Sequence, residues 1–322
     1  MKLSIYLGSK CNLNCKYCHR IADTTETPVV SDKLINYIKS ISNDKLTIKF
    51  MGGEPTLYFD IIKQIVDISP NAKHSICTNG KDLYKYIDYF REHKFNLCIS
   101  YDANNECNLR RYDPFTSLIN YPFISVSTTI YHGNTDLKKI IRKLNEKELI
   151  VGRRLTLFPH IVHNTGEANN KYALTREDAI QYISQFKEMV SSFMRDYFKY
   201  RLINMRYQSM FIQLYRQYKF GYNKGETYCV NHNSRKCDIN GNFYDCLYIR
   251  DDILPETDCT KQQYEILKTR FPNCLNCDVY SMCGGACIKS KEHDIECLIY
   301  KSLYTWFKAE FERWRSIYGN CR

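Results

Sequence analysis

Cys11-Asn12-Leu13-Asn14-Cys15-Lys16-Tyr17-Cys18 decides how the rest of the chain is read. It follows a short apolar run, Leu3-Ser4-Ile5-Tyr6-Leu7, and a break at Gly8-Ser9-Lys10. Three cysteines within eight residues, on a loop leaving a strand, suit one metal centre. Three thiolates fill three corners of a four-iron, four-sulfur (4Fe–4S) cluster and leave one iron open to a cofactor or substrate. The competing reading is a zinc site, or buried thiols with no common role.

Bulk properties narrow the classes. The 322 residues are 44% hydrophobic and 25% charged, an ordinary globular balance with enough chain for a large core. No run approaches the roughly 18–20 apolar residues of a membrane span. The first residues already look like a strand and carry no secretory signal, so a cytoplasmic protein is expected. In a reducing compartment, sixteen cysteines point to metal rather than disulfides. The net charge of +11 is spread along the chain. It favours an anionic partner, or is simply a basic solvated surface.

Working outward, residues 1–160 repeat a β-rich run, a loop and an amphipathic helix. The β-like runs are Leu3–Leu7, Leu46–Phe50, His74–Cys77, Asn96–Ser100, Phe123–Ile130 and Arg154–Phe158. Helical faces lie between them: Leu34/Ile35/Ile38/Ile41, Ile61/Ile62/Ile65/Val66, Leu83/Tyr86/Ile87/Phe90 and Leu137/Ile140/Ile141/Leu144. Such alternation implies parallel strands joined by right-handed crossovers. Six units are too few for a closed eight-stranded barrel, and active residues belong at the C-terminal ends of the strands.

The spacing Cys-x3-Cys-x2-Cys, with an aromatic residue before the last cysteine, resembles the radical SAM enzymes. The resemblance implies a partial (β/α)6 barrel. It also implies that the open iron chelates S-adenosylmethionine, which one electron cleaves to a 5′-deoxyadenosyl radical. Gly52-Gly53-Glu54-Pro55 follows the second strand and matches the family's GGEP motif. By resemblance its loop holds the methionyl amine, the glycines allowing close backbone approach and the carboxylate accepting from an ammonium group. Thr78-Asn79-Gly80 and Ser100-Tyr101-Asp102 end the next two strands. The cofactor-facing set carried over is Tyr17, Gly52, Gly53, Glu54, Asn79, Ser100 and Arg111, with Asp102 supporting its loop and Arg110 as an alternative to Arg111.

Residues 161–225 read as a helical bridge, with Thr175 as a helix cap. Residues 226–322 carry a second cysteine field: Cys229-x11-Gly241-x4-Cys246, then Cys274-x2-Cys277-x5-Cys283-x3-Cys287 and Cys297. This resembles the SPASM extension of radical SAM enzymes, which holds two auxiliary 4Fe–4S clusters, three in all with the first. Carried over, one auxiliary cluster takes Cys229, Cys246, Cys287 and Cys237, with Cys259 the alternative to Cys237. The other takes Cys274, Cys277, Cys283 and Cys297. The alternative is a pair of zinc sites. Asn240-Gly241 marks a hairpin turn within Asp238–Tyr248. A closing helix over 298–320 presents Ile299, Leu303, Trp306, Phe307, Phe311 and Trp314 on one face. Cys77 and Cys98 read as core thiols, and Cys107 as a candidate hydrogen-returning thiol beside the cofactor.

The expected function is modification of a precursor peptide by radical SAM/SPASM chemistry, with a C–S or C–C crosslink foremost. Epimerisation and sulfatase-maturase-like side-chain oxidation are alternatives. Leu247 stands where the sulfatase-maturing branch carries aspartate, which weighs against the last. A reductant such as flavodoxin or ferredoxin is implied. Because the sequence begins at its first strand, leader recognition is expected from a separate protein or from the basic surface. An RNA-modifying enzyme, or a non-enzymatic zinc or Fe–S protein, are the readings from other classes.

Overall fold

The computed structural model describes residues 1–18, 29–103, 113–163, 170–223, 226, 234–244, 265, 267–285, 287, 290 and 293–319. Seven parallel strands form one open sheet in the order β6-β5-β4-β3-β2-β1-β7. They are β1 (Lys2–Tyr6), β2 (Thr47–Met51), β3 (Lys73–Thr78), β4 (Asn96–Ser100), β5 (Ile124–Ile130), β6 (Thr156–Ile161) and β7 (Ser234–Asp238). All six expected strands are present, displaced at either end by three residues at most.

Between them run α1 (Asp32–Ile41), α2 (Phe59–Ile68), α3 (Ile87–Glu92) and α4 (Leu137–Val151). The expected apolar faces bury as read: Leu34 and Ile38, Ile62 and Ile65, Phe90, and Ile140 and Leu144 join one core with Ile48, Phe50, Ile76, Leu97 and Val126 of the sheet. The third helix is short. Its pattern is split between a 3-10 turn at Leu83–Lys85 and α3.

Strands β2–β6 alternate strictly. One side of each strand is buried against the helices, while Lys49, Ser75, Cys77, Cys98, Ser100, Ser127 and Thr129 stay half exposed and His160 stays open. A doubly wound parallel sheet is apolar on both faces. A sheet that is polar on one side has curved round a lumen, which is the expected partial barrel. This alternation also corrects the reading of Cys77 and Cys98 as core thiols: both lie on the concave, polar face.

Two long helices, α5 (Arg176–Tyr200) and α6 (Met205–Phe220), pack at the β6 side. Thr175 caps α5 as expected and forms a reciprocal capping box with Asp178. The last helix, α7 (Asp294–Tyr318), lies on α5 and α6 and starts four residues earlier than the pattern implied. Ile299, Leu303, Phe307 and Phe311 are buried along it. Trp306 and Trp314 are partly buried against the same core.

β7 was not anticipated. Ser234-Arg235-Lys236-Cys237-Asp238 pairs in parallel with all five residues of β1. The turn at Asn240-Gly241 follows, with Gly241 at φ +72° and Tyr244 N–H donating back to Lys236 O at 3.0 Å. The hairpin therefore begins four residues before Asp238, and the stretch assigned to the third region adds a strand to the first. Among the described residues no helix is long and apolar enough to cross a membrane.

Candidate active site at the strand ends

The cysteine loop is tied to the C-terminal ends of β2, β3 and β4. At β2, Gly53 N–H donates to Gly8 O and Glu54 N–H to Lys10 O, both at 2.8 Å. A Cβ on Gly52 would stand 2.7 Å from Gly8 O, and one on Gly53 would stand 2.3 Å from both Ser9 O and Lys10 O. The two glycines thus give close approach to the cysteine loop itself, a partner that the motif alone does not reveal. Lys10 N–H donates to the Tyr58 hydroxyl at 2.7 Å, closing the loop's base.

Glu54 is the brace of this corner. It is 1% exposed, and its Oε1 accepts from Thr56 N–H, Thr56 Oγ1 and Thr78 Oγ1, while Oε2 accepts from Asn79 N–H at 2.7 Å. Burial pushes its pKa up against the pull of these four donors. The sequence reading had this carboxylate accepting from a ligand's ammonium group. In the structure its acceptors go chiefly to the exits of β2 and β3.

At β3, Asn79 Nδ2 donates to Asn12 Oδ1 at 2.8 Å and approaches Cys11 Sγ at 4.0 Å. Asn12 Nδ2 donates to Asp82 Oδ2 at 2.6 Å, and Lys81 Nζ donates to Asn12 O at 3.3 Å. At β4, the Tyr17 hydroxyl donates to Asp102 Oδ2 at 2.5 Å, and its ring stacks on buried Tyr131 with centroids 4.7 Å apart. Asp102, read from the sequence as a support for its own loop after β4, reaches the cysteine loop through the aromatic residue of the motif. Ser100 ends β4 on the lumen side, level with Ser127. Asn12, Asp82 and Tyr131 were missed. Asn12 lies within the motif itself, but Asp82 and Tyr131 gave no signal short of the fold.

The donor set fits a 4Fe–4S cluster at the triad. Leu13 N–H donates to Cys11 Sγ at 3.4 Å, and Asn79 Nδ2 lies on the same sulfur. Amide donors aimed at a cysteine sulfur favour the thiolate that iron requires. Cys18 N–H donates to Cys15 O at 2.9 Å, turning the loop so that Cys18 faces outward.

The second cysteine group also assembles. Cys274, Cys277, Cys283 and Cys297 line one pocket with Tyr280 and Tyr300. Burial, with Cys297 and Cys277 nearby, pushes the Cys283 thiol up to about 12. A hydrogen bond with Cys274 raises Cys297. Cys287 stands apart on a loop held by Glu296 of α7: its N–H donates to Glu296 Oε2 at 3.4 Å, and Ser290 Oγ and His163 Nδ1 meet the same carboxylate. Cys237 differs from the reading that made it a cluster ligand. It is fully buried in the apolar core opposite Ile5, and burial raises its thiol pKa, so a thiolate there is disfavoured. Cys107, Arg110, Arg111, Cys229, Cys246, Leu247 and Cys259 lie outside the described residues. Among the described residues no three His, Cys, Asp or Glu side chains close round a single metal ion.

An open parallel sheet with a three-cysteine loop braced across its strand ends defines a class, and the comparisons agree with it. Residues 5–161, just under half of the chain, match the family model of the radical SAM superfamily, so the chain carries a radical SAM domain. It is 27% identical to the radical SAM cyclopropyl synthase TigE of Paramaledivibacter caminithermalis over 37% of this chain and 30% of that one, so the match spans under a third of that relative. It is 21% identical to a cysteine-type anaerobic sulfatase-maturating enzyme of Clostridium novyi over 92% of both chains. Among solved structures it is similar to native anSMEcpe with bound AdoMet and Kp18Cys peptide, with TM-score 0.69 and 18% identity over 100% of both chains. It is also similar to Streptococcus suis SuiB bound to precursor peptide SuiA, with TM-score 0.60 and 16% identity over 90% of this chain and 73% of that one. At such identities these two structures speak for the fold, including its C-terminal extension.

Proposed function

We propose that the chain is a radical SAM/SPASM enzyme that installs a C–S or C–C crosslink in a ribosomally made precursor peptide. The observation that carries this reading is the pairing, in one chain, of a braced three-cysteine loop with the four-cysteine pocket of Cys274, Cys277, Cys283 and Cys297. The peptide substrate draws support from two proteins of the same fold whose solved structures hold peptides.

In this reading Cys11, Cys15 and Cys18 hold the catalytic cluster. The four-cysteine pocket holds one auxiliary cluster, and Cys229, Cys246 and Cys287 hold another, with Cys259 a better fourth ligand than core-buried Cys237. Bound there, the cluster and S-adenosylmethionine would supply the one-electron chemistry for hydrogen abstraction from the substrate. The chain's own residues position and enclose. Gly52, Gly53 and Glu54 fix the loop over the cofactor. Tyr17, Asn79, Ser100 and Arg111 frame it. The polar lumen receives the peptide, and only in the epimerisation alternative would Cys107 return a hydrogen atom. A flavodoxin or ferredoxin delivers the electron in the cytoplasm.

The test is anaerobic reconstitution followed by incubation with precursor peptides and a reductant. About twelve irons per chain, 5′-deoxyadenosine release and loss of two hydrogen atoms from the peptide are expected. Solvent deuterium gained with no other mass change would replace the crosslink with epimerisation. Zinc in place of iron, with no cofactor cleavage, would sink the reading.

A further inference from the structure

Cys77 and Cys98 stand side by side on the concave face of the sheet. They are Cα partners in the β3–β4 ladder, and both are half buried with no disulfide joining them. Their sulfurs share a hydrogen bond. Neighbouring strands lie about 4.8 Å apart, which falls within the roughly 4.4–6.8 Å of Cα separation that a disulfide spans.

Charge distinguishes the two sulfurs. The hydrogen bond from Cys98 is the largest influence drawing the Cys77 thiol below its ordinary value. Lys49 of β2, hydrogen-bonded to Cys77, and Lys2 of β1 add positive charge and overcome the opposing effect of burial. Cys98, facing that thiolate, is pushed up. One sulfur is therefore a nucleophile near neutral pH while its neighbour keeps a proton, which is the asymmetry thiol–disulfide exchange requires. Neither thiol has a part in the proposed cluster or cofactor sites.

We infer that Cys77 and Cys98 form a reversible dithiol–disulfide couple inside the barrel that reacts with low-molecular-weight disulfides. The Cys77 thiolate attacks one sulfur of the small disulfide, whose S–S bond breaks and releases a thiolate. Cys98 then gives its proton to water, attacks Cys77 Sγ and displaces the second thiolate. The chain loses two electrons and one proton, and the small disulfide takes both electrons and leaves as two thiolates.

The position gives the couple a reader. Directly after Cys77, Thr78 and Asn79 hold Glu54 and Asn12. Four residues after Cys98, Asp102 holds Tyr17. Drawing β3 and β4 together at this level shifts the two strand exits that seat the cysteine loop.

The test uses the reconstituted, anaerobic enzyme. It is exposed to glutathione disulfide at pH 7, quenched with iodoacetamide and digested with cleavage after Tyr101, which separates Cys98 from Cys107. Mass spectrometry is expected to find a Cys77–Cys98 linked peptide that dithiothreitol removes. In Cys98→Ser, Cys77 is expected to carry one glutathione instead. In Lys49→Met the reaction should slow by about tenfold. Wild-type enzyme in which Cys77 stays fully alkylatable, or is linked only to cluster cysteines, overturns the couple without need of any variant.

Discussion

Gly53 measures how tightly the site is built. A methyl group there meets two backbone oxygens at 2.3 Å, so the cysteine loop itself must move. Gly53→Ala should break the bonds to Gly8 and Lys10 and cost about 2 kcal/mol or more of stability. Urea unfolding and the iron bound after reconstitution both read this, and unchanged values would refute the brace. His74 offers a second test. It is buried against Phe50 and Phe95 with Ser69 Oγ on its Nε2 at 3.1 Å, and burial holds its pKa at about 4. An unfolded histidine titrates near 6.5. Between those values the unfolded chain takes a proton that the folded chain refuses. Stability is therefore full above pH 6.5 and falls towards pH 4, by about 3 kcal/mol at most. His74→Phe should lose less stability than the parent over that window in urea titrations. At this scale the cysteine triad was legible because its ligands are close in sequence. The role of Glu54 was not, because Thr78 and Asn79 sit 24 and 25 residues on and meet it only through the β2–β3 pairing.

At the scale of elements, apolar alternation carried the reading. Strands β1–β6 each bring buried aliphatic or aromatic residues to the helices, so six short runs were enough. β7 escaped because three of its five residues are Arg, Lys and Asp, and a polar edge strand leaves little periodicity. Its pairing depends on β1, not on its own composition. α7 is the opposite case. Phe307 is fully buried against Phe211 and Phe311, so Phe307→Ala should cost about 3–5 kcal/mol, read as a lower urea midpoint. Glu296 lies on the same helix and gathers the Cys287 and His163 loops. Glu296→Ala should lower the iron retained after gel filtration more than it lowers the melting temperature. Equal losses would make it a stability residue alone.

At the scale of the whole molecule, the net charge of +11 fits capture of an acidic peptide. Affinity for such a peptide should fall as salt rises from low to physiological strength, whereas binding that is indifferent to salt would locate recognition in apolar contacts. β1 leaves the ribosome well before β7, whose first residue is 234 and which fills its outer edge. At about 5–20 residues per second, the strand that carries the cysteine loop waits roughly ten to forty-five seconds for its neighbour. Until then it offers unpaired amides to any other chain. Residues 1–161 made alone should accumulate as aggregates, and supplying the C-terminal half in the same cell should return them to the soluble fraction.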